Sequence, residues 1–531
     1  MLGTESPQAH LTATDAFCST LLEPGSLYHF LAEHRREIFA DAKFAHLYPS
    51  GTGRPSIPAS RIASVMVLQT LEGLSDREAL DQVRYNLRWK LALGLDLEDR
   101  GFDPSVLTYW RNRIKNSSTP TLIFDLAREI INETKILNHH TKRVLDSTVL
   151  VDAVITQDTM TQIVAQVKRV RKLIPELSLV PLSDEIDDAR AKPAIDYSDE
   201  DLINETLSIL VRDANALIDR ARELGYLSDD EDQVTDSPLT TQQLNAQQLG
   251  ALGLLGVVAG QDVELVDEER GAYRLTRGVA KDRVISTVDP ESRHVHKSRK
   301  NYYDGYKGHI AIDAETEIIT SATLTKGNAS DALVAKELLD QESESVSVYG
   351  DSGYSSMDLS KHLAENGHSE VIKPRPLAMA VPDGYSVDDF IVTEPTTETP
   401  AKVTCPAGHT VTISAKGRAS FTKYCGTCPL RDRCTRSKRG RVMTFGPNHS
   451  YARAQRESWK QAETQAAYRA IRPGVERIHA QMKRKLNGSK LRYRGIAKNT
   501  MHYLLLGTVW NLKVLLRNNL TRENGNWVIA S

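Results

Sequence analysis

Aromatic residues make up only 6% of this 531-residue chain, and it has five cysteines. So few thiols, four of them crowded between positions 405 and 434, exclude a disulfide-stapled scaffold. No run of 18 or more apolar residues occurs, which argues against a membrane-spanning helix. The opening stretch MLGTESPQAHLTATDAF has neither the basic start nor the apolar run of a signal peptide, so a cytoplasmic location is expected. A G-x-x-x-x-G-K-[ST] phosphate loop is missing, which speaks against a nucleotide-driven enzyme. The chain also lacks an internal repeat and a large charge of either sign, its formal net charge being −2.

Near-neutrality hides a strong segregation. Residues 431–500 carry 19 Lys or Arg against four acids, the composition of a polyanion-binding surface. Acidic blocks, SDEIDD, YSDEDL and LSDDEDQ, gather instead between 184 and 236. A chain this long exceeds one core, and two to four domains are expected. Residues 1–53 read as an N-terminal segment and 54–135 as a helical DNA-binding module. In that module Pro58, Ser75 with Asp76 and Glu78, and Asp103-Pro104 mark helix starts, while Gly73 and Gly94 mark stops. Arg61, Arg84, Arg88, Arg111 and Arg113 are scattered over it, as in helix-turn-helix modules; an ordinary helical subdomain is the alternative.

A β-branched strand, RVLDSTVLV, spans 143–151. Residues 140–155 therefore open a catalytic domain, and the polar, helical, acidic stretch 156–300 interrupts it. The domain resumes over 301–375 with strands at 306–313 and 318–324 joined as a hairpin, a helix at 330–340, a strand at 346–349, a helix near 356–365 and the strand SEVIKP. A Cys-rich insert follows at 376–445, then long helices at 451–486 and 497–518 within 446–520, and a tail at 521–531. The fold class is thus multi-domain α/β, a mixed sheet flanked by helices and broken by two inserts.

Three carboxylates carry the chemistry. Asp146 lies inside an apolar strand, where an acid is costly unless it meets a cation. Asp351 ends another strand, with Gly350 and Gly353 letting the backbone turn beside it. In the basic stretch YRAIRPGVERIHAQMKRKLNGSKLRYRG, Arg472, Glu476 and Lys483 fall near one helical face; a solvated Arg–Glu pair is the bland alternative. Oxygen ligands of this kind suit Mg²⁺ or Mn²⁺. Two such ions about 3.5–4 Å apart drive in-line phosphodiester displacement. Arg472 and Lys483 are expected to contact DNA phosphates, with Arg477, Arg492 and Arg494 in the same stretch. His309 and His479 are read as structural or DNA-proximal, and Trp510 as core.

The order LDST around Asp146, GDSGY around Asp351, and R-x3-E-x6-K followed by RYRG at 492–495 resembles the DDE transposases of bacterial insertion sequences. SRKNYYDGYKGHIAID and TLTKGNASD resemble the segments between the two catalytic Asp residues of that family, and 54–116 resembles the helical domain that precedes its catalytic core. The resemblance implies a ribonuclease-H-like core with Asp146, Asp351 and Glu476 as the metal-binding triad. It also implies binding of terminal inverted repeats and target DNA, cut-and-transfer chemistry, and at least a homodimer on DNA. One departure concerns Tyr468, which stands four residues before Arg472 rather than three, the nearer place being Arg469.

Cys405, Cys425, Cys428 and Cys434 (CPAGH…KYCGTCPLRDRC) read as a structural Zn²⁺ site. His409 in place of Cys405, or reduced unliganded thiols, are the alternatives; the resemblance favours the four-Cys set. Cys18 has no apparent partner. Competing functions are a non-catalytic DNA-binding relative, a nuclease of the same sheet type without strand transfer, and a regulatory zinc protein.

Overall fold

The computed structural model describes the chain except residues 6–13, 49–52, 54, 187–189, 228–243, 297–300, 394, 396–399, 487 and 531. Nearly all of the third acidic block, the start of the Gln-rich turn at 240–249 and the start of the SRKNYYDG segment therefore lie outside the described residues. The N-terminal part is helical: α1 (Asp15–Cys18), α2 (Leu27–Ile38), α3 (Ala59–Glu72), α4 (Asp76–Tyr85), α5 (Leu87–Leu93), α6 (Ser105–Lys115) and α7 (Leu122–Thr134). Sequence punctuation sets these bounds. Gly73 and Gly94 end α3 and α5 in the left-handed region, and Ser75 with Glu78 closes a capping box on α4.

The chain then enters the central sheet at β1 (Lys142–Val151) and leaves it for α8 (Thr159–Leu173), α9 (Pro175–Ser178), α10 (Glu200–Glu223) and α11 (Ala246–Gly260). These helices share their own apolar core, built on Ile163, Val167, Leu210, Leu217 and Leu255. A hairpin of β2 (Val263–Asp267) and β3 (Ala272–Leu275) closes the insert, an element its helical reading missed. The sheet resumes with β4 (Arg293–His296), β5 (Tyr302–Asp313), β6 (Ile319–Lys326), helix α12 (Asp331–Leu339), β7 (Ser347–Gly350), α13 (Met357–Glu365) and β8 (Ser369–Ile372). Its order is β4-β5-β1-β7-β8, with β6 also on β5; β1 runs antiparallel to β5 and parallel to β7. This mixed sheet with flanking helices is consistent with a ribonuclease-H-like core.

The Cys-rich insert is a small β unit: β9 (Ile391–Thr393), β10 (Lys402–Thr404) and β11 (Thr410–Thr412) form one sheet. A second ribbon pairs β12 (Arg418–Ser420) with β13 (Val442–Thr444), and α14 (Arg431–Cys434) lies between those two strands in the chain. The expected helix over 451–486 is two helices, α15 (His449–Lys460) and α16 (Ala462–Lys485), separated at Gln461, whose backbone is extended (ψ 132°). Then follow α17 (Ile496–Arg517) and a hairpin of β14 (Leu520–Glu523) and β15 (Asn526–Ile529), where a plain tail was expected.

One core joins the N-terminal helices to the sheet. Leu31, Ile62, Leu68, Trp89 and Ile130 belong to the same buried cluster as Val144, Ile310, Val475 and Leu512. α17 is its pillar, touching α3, α6, α7 and β6. Its buried Asn511 accepts from the Ile319 N–H (2.8 Å) and donates to the Ile319 carbonyl (2.8 Å), and Trp510 Nε1 donates to the Glu317 carbonyl (2.8 Å). The helical module is thus continuous with the catalytic sheet, and Trp510 is core. Among the described residues no helix is long and apolar enough to cross a membrane.

Candidate active site

Strand register brings the first two carboxylates together. In the parallel β1–β7 pair, Lys142, Arg143 and Val144 face Ser347, Val348 and Tyr349. Continuing that offset puts 146, midway along β1, level with 351, just past the carboxyl end of β7. Asp146 is 7% exposed. Burial pushes its carboxyl upward, while the Arg472 guanidinium pulls the other way. The turn after β7 is held by the Gly353 N–H donating to Asp351 Oδ1 (2.8 Å). A Cβ at Gly353 would stand 2.8 Å from Asp331 Oδ2 and 2.9 Å from Asp351 Oδ1, so only glycine leaves these oxygens their space.

Helix α16 lays a cation across the pair. Arg472, 9% exposed, donates from Nη2 to Asp146 Oδ1 (2.7 Å), and the same nitrogen is 3.8 Å from Asp351 Oδ2. Burial works against the guanidinium, but the two carboxylates outweigh it and hold its pKa above the ordinary value. Pro473 follows inside the helix; lacking an N–H, it removes the rung that would run back to the Arg469 carbonyl. His479 Nε2 lies 3.4 Å from Asp146 Oδ2, yet burial and the Lys483 and Arg472 cations push this imidazole down to about 3. It is neutral at pH 7.

Asp331, at the first turn of α12, is a fourth carboxylate here that sequence reasoning did not single out. Lys307 Nζ sits 3.0 Å from its Oδ1 and donates to the Ala329 carbonyl (3.0 Å). Its segment, TKGNASD, offers only a Gly-Asn turn leading into a helix whose first residue is acidic, which does not by itself mark a site. His309, fully buried, pairs through Nε2 with Thr325 Oγ1 (2.8 Å) and is pushed down to about 4 by burial. Several buried polar atoms around the carboxylates have no hydrogen-bond partner among the described residues: Tyr354 Oη, Tyr503 Oη, Arg472 Nη1 and His309 Nδ1. Such orphans mark a site built for a further polar ligand. Beside it runs a groove of about 420 Å³, lined among others by Ser147, Thr148, Lys307, Asp331, Asp351 and Lys483.

Not every expected site residue converges. Glu476 lies one turn beyond Arg472 but on an exposed part of α16. Its charge and that of Asp351 both reach the Tyr468 hydroxyl, which is hydrogen-bonded to Arg472. Among the described residues no three His, Cys, Asp or Glu side chains stand close enough to hold a metal ion. The structure thus pairs Asp146 with Asp351 and leaves Glu476 apart. Arg492 is spent on the Gly73 and Leu74 carbonyls at the end of α3, and Arg477 lies 3.4 Å from Glu317, whereas Arg494 is exposed. In the helical module, buried Arg111 is bonded to Asp76 and Arg88 lies over the Tyr28 ring, so these two serve the fold.

In the β unit, Cys405, Cys425, Cys428 and Cys434 line one small pocket with His409, whose ring stacks on Tyr424 at 4.6 Å. Burial and the other three sulfurs push the Cys434 thiol up, although Arg441 opposes this. All four are free thiols, not drawn together as a metal centre. The expected zinc site is therefore unsupported by the geometry: the four sulfurs line one pocket but do not close into a ligand group.

Three family models match the chain. Residues 19–113 match a Transposase domain (DUF772), 263–379 a Transposase DDE domain, and 404–516 a second Transposase DDE domain. Asp331 and Asp351 fall in the second segment and Glu476 in the third; Asp146 and most of the helical insert lie outside all three. No curated protein and no solved structure matches.

Proposed function

We propose that this chain, a member of the DDE transposases of insertion sequences, binds the terminal inverted repeats of its element, cleaves there and joins the freed ends to target DNA. The observation that carries the reading is the pairing of Asp146, on β1, with Asp351, just past the end of β7, across one guanidinium. Glu476 stands a helical turn further along the same helix, and a modest rotation of the segment after Pro473 would bring it to the pair. Mg²⁺ or Mn²⁺ bound to these carboxylates would supply Lewis-acid activation of a water or 3′-hydroxyl and neutralise the leaving oxygen. The buried, unpartnered Tyr354 hydroxyl supports a fit to such a ligand set, and the unpartnered Arg472 Nη1, a donor only, suits a phosphate oxygen beside it.

The chain's own side chains do the rest. Lys307 and Lys483 line the groove and would hold scissile-strand phosphates, with Arg494 reaching the flank. Neutral His309 and His479 fix the geometry without adding charge. Arg472 keeps two like charges close and is available to the phosphate once a metal replaces it. Two element ends must be handled together, so a homodimer on DNA is part of the proposal. Structural zinc also belongs to it, supported by four thiols lining one pocket; binding would require them to close in, and the zinc content of the purified protein decides it.

The test is cleavage of DNA flanking the protein's own gene with Mg²⁺ or Mn²⁺, comparing wild type with Glu476→Gln. Nicking and joining by wild type that vanish in the variant, with DNA binding retained, are expected. Cleavage without a joined product makes the protein a nuclease. Specific binding without cleavage makes it a non-catalytic DNA-binding relative.

A further inference from the structure

The small β unit between β8 and α15 has a charge that its own fold does not use. Residues 401–448 contain ten Lys or Arg and one acid, Asp432, in a chain whose net charge is −2. Three of the ten cations are structural. Arg431 donates to the Ser437 and Lys438 carbonyls, Arg433 lies over the Tyr385 ring, and Arg441 donates to the Cys434 carbonyl. The others, among them Lys416, Arg418, Arg436, Lys438 and Arg439, are exposed, and among the described residues no carboxylate lies within ion-pair distance of these five. Unscreened like charges on a unit with a core as small as Phe390, Val403, Phe421 and Phe445 cost stability, so their clustering points to an anionic partner.

The unit presents these charges rigidly. The carbonyl bonds from Arg431 pin the loop that carries Arg436, Lys438 and Arg439. At its end Gly440, with φ 104°, packs so closely that a Cβ would stand 2.8 Å from Cys425 Cβ. The unit is tied to α15 by Arg456, which donates to both oxygens of Asp388 (2.7 and 2.6 Å), and where it runs into α15, Asn448 donates to Asp358 Oδ1 on α13 (2.7 Å). α15 leads directly into α16, the helix that carries Arg472. Preorganised cations lose little freedom on binding.

The kind of polyanion follows from what the surface does not offer. Single strands are held by stacking bases on open aromatic rings. Here Phe390, Phe421 and Phe445 are buried, Tyr424 is stacked on His409 and Tyr385 is covered by Arg433. Cations without an open ring suit the phosphate backbone of a duplex.

We propose that residues 401–441 form a second duplex-DNA surface, which grips backbone phosphates without reading sequence and registers the DNA against the cleavage site. The proposal rests on the transposase reading. Its test is equilibrium binding of the full-length protein to a duplex containing an element end and its flank, titrated with salt. The comparison is wild type against an Arg436→Gln/Lys438→Gln/Arg439→Gln variant, with Arg220→Gln/Arg270→Gln/Lys172→Gln in the helical insert as a control of equal charge change. Each lost phosphate contact lowers the log–log salt slope by about 0.9, so the fall in affinity between 50 and 200 mM salt shrinks by roughly 40-fold for three contacts. A reduced slope in the first variant alone, with thermal unfolding not lowered, is the expected result. An unchanged slope while wild type binds overturns the surface and leaves the transposase reading standing, and so does an equal reduction in the control. If wild type binds no element end at all, both fall.

Discussion

Replacing Arg472 by Met keeps much of the side chain's bulk and removes the cation that Asp146 and Asp351 share. Asp146 is 7% exposed and its bond to Arg472 is 2.7 Å long, so the substitution leaves a carboxylate buried and unpaired. Removing one partner of a buried ion pair costs about 3–5 kcal/mol. The Asp351 side chain is about half exposed and 3.8 Å away, so its share is screened to less than about 1 kcal/mol. The loss depends on pH in a definite sense. Without the guanidinium the Asp146 pKa, already raised by burial, rises further. The folded variant then holds a proton that the unfolded chain releases, and its deficit is greatest above neutrality and shrinks as pH falls through that raised value. Urea unfolding followed by tryptophan fluorescence at pH 8 and pH 5.5 measures this, with Trp459, edge-on to Tyr468 next to Arg472, as the local reporter. Two companions sharpen the result. Arg472→Met/Asp146→Asn should recover most of the loss at pH 8, and millimolar Mn²⁺ should raise the midpoint of the single variant more than that of wild type. A cost below about 1 kcal/mol, or a double variant no better than the single, would refute the argument.

Gly353→Ala forces a methyl within 3 Å of two carboxylate oxygens. Mn²⁺ binding measured calorimetrically should weaken at least tenfold while far-UV dichroism stays unchanged; unaltered Mn²⁺ affinity would show that those oxygens take no part in the site. Glu370 is raised to about 7, burial outweighing its bonds from Ser360 and Gln455. The folded state therefore keeps a proton the unfolded state loses, and stability should fall by at most about 3 kcal/mol as pH rises from 4.5 to 7. Glu370→Gln should flatten that limb of the urea-midpoint profile, and an unchanged profile would place the dependence elsewhere.

Local signals carried the sequence reading as far as local physics decides structure. Alternation and turn residues placed β1, the β5–β6 hairpin, α12, β7 and α13 within a residue or a few of where they lie. Punctuation failed in α15 and α16. No glycine or proline marks the break at Gln461, which depends on packing such as the ring contact of Trp459 with Tyr468, while Pro473 sits within a helix that continues past it. The C-terminal hairpin was legible, since Asn524-Gly525 have φ of 51° and 87° and Asn-Gly between strands is a strong two-residue turn signal. Asp331 was not legible as a site residue, because its place beside Asp351 depends on how α12 packs on the sheet rather than on spacing in the chain. The scattered arginines of the helical module suggested DNA, but Arg111 and Arg88 bind neighbours within the fold.

The last long helix, α17, has a consequence for genetics. α17 contributes one wall of the core that α3, α6 and α7 need to bury their apolar faces, and it begins only at residue 496. A stop codon or frameshift ahead of α17 would not yield a shortened DNA-binding chain that keeps the front helices. It would yield a chain with those faces bare, prey to aggregation and proteolysis. Late truncations should therefore behave as complete loss-of-function alleles, and the front and back of this protein should be inherited as a unit.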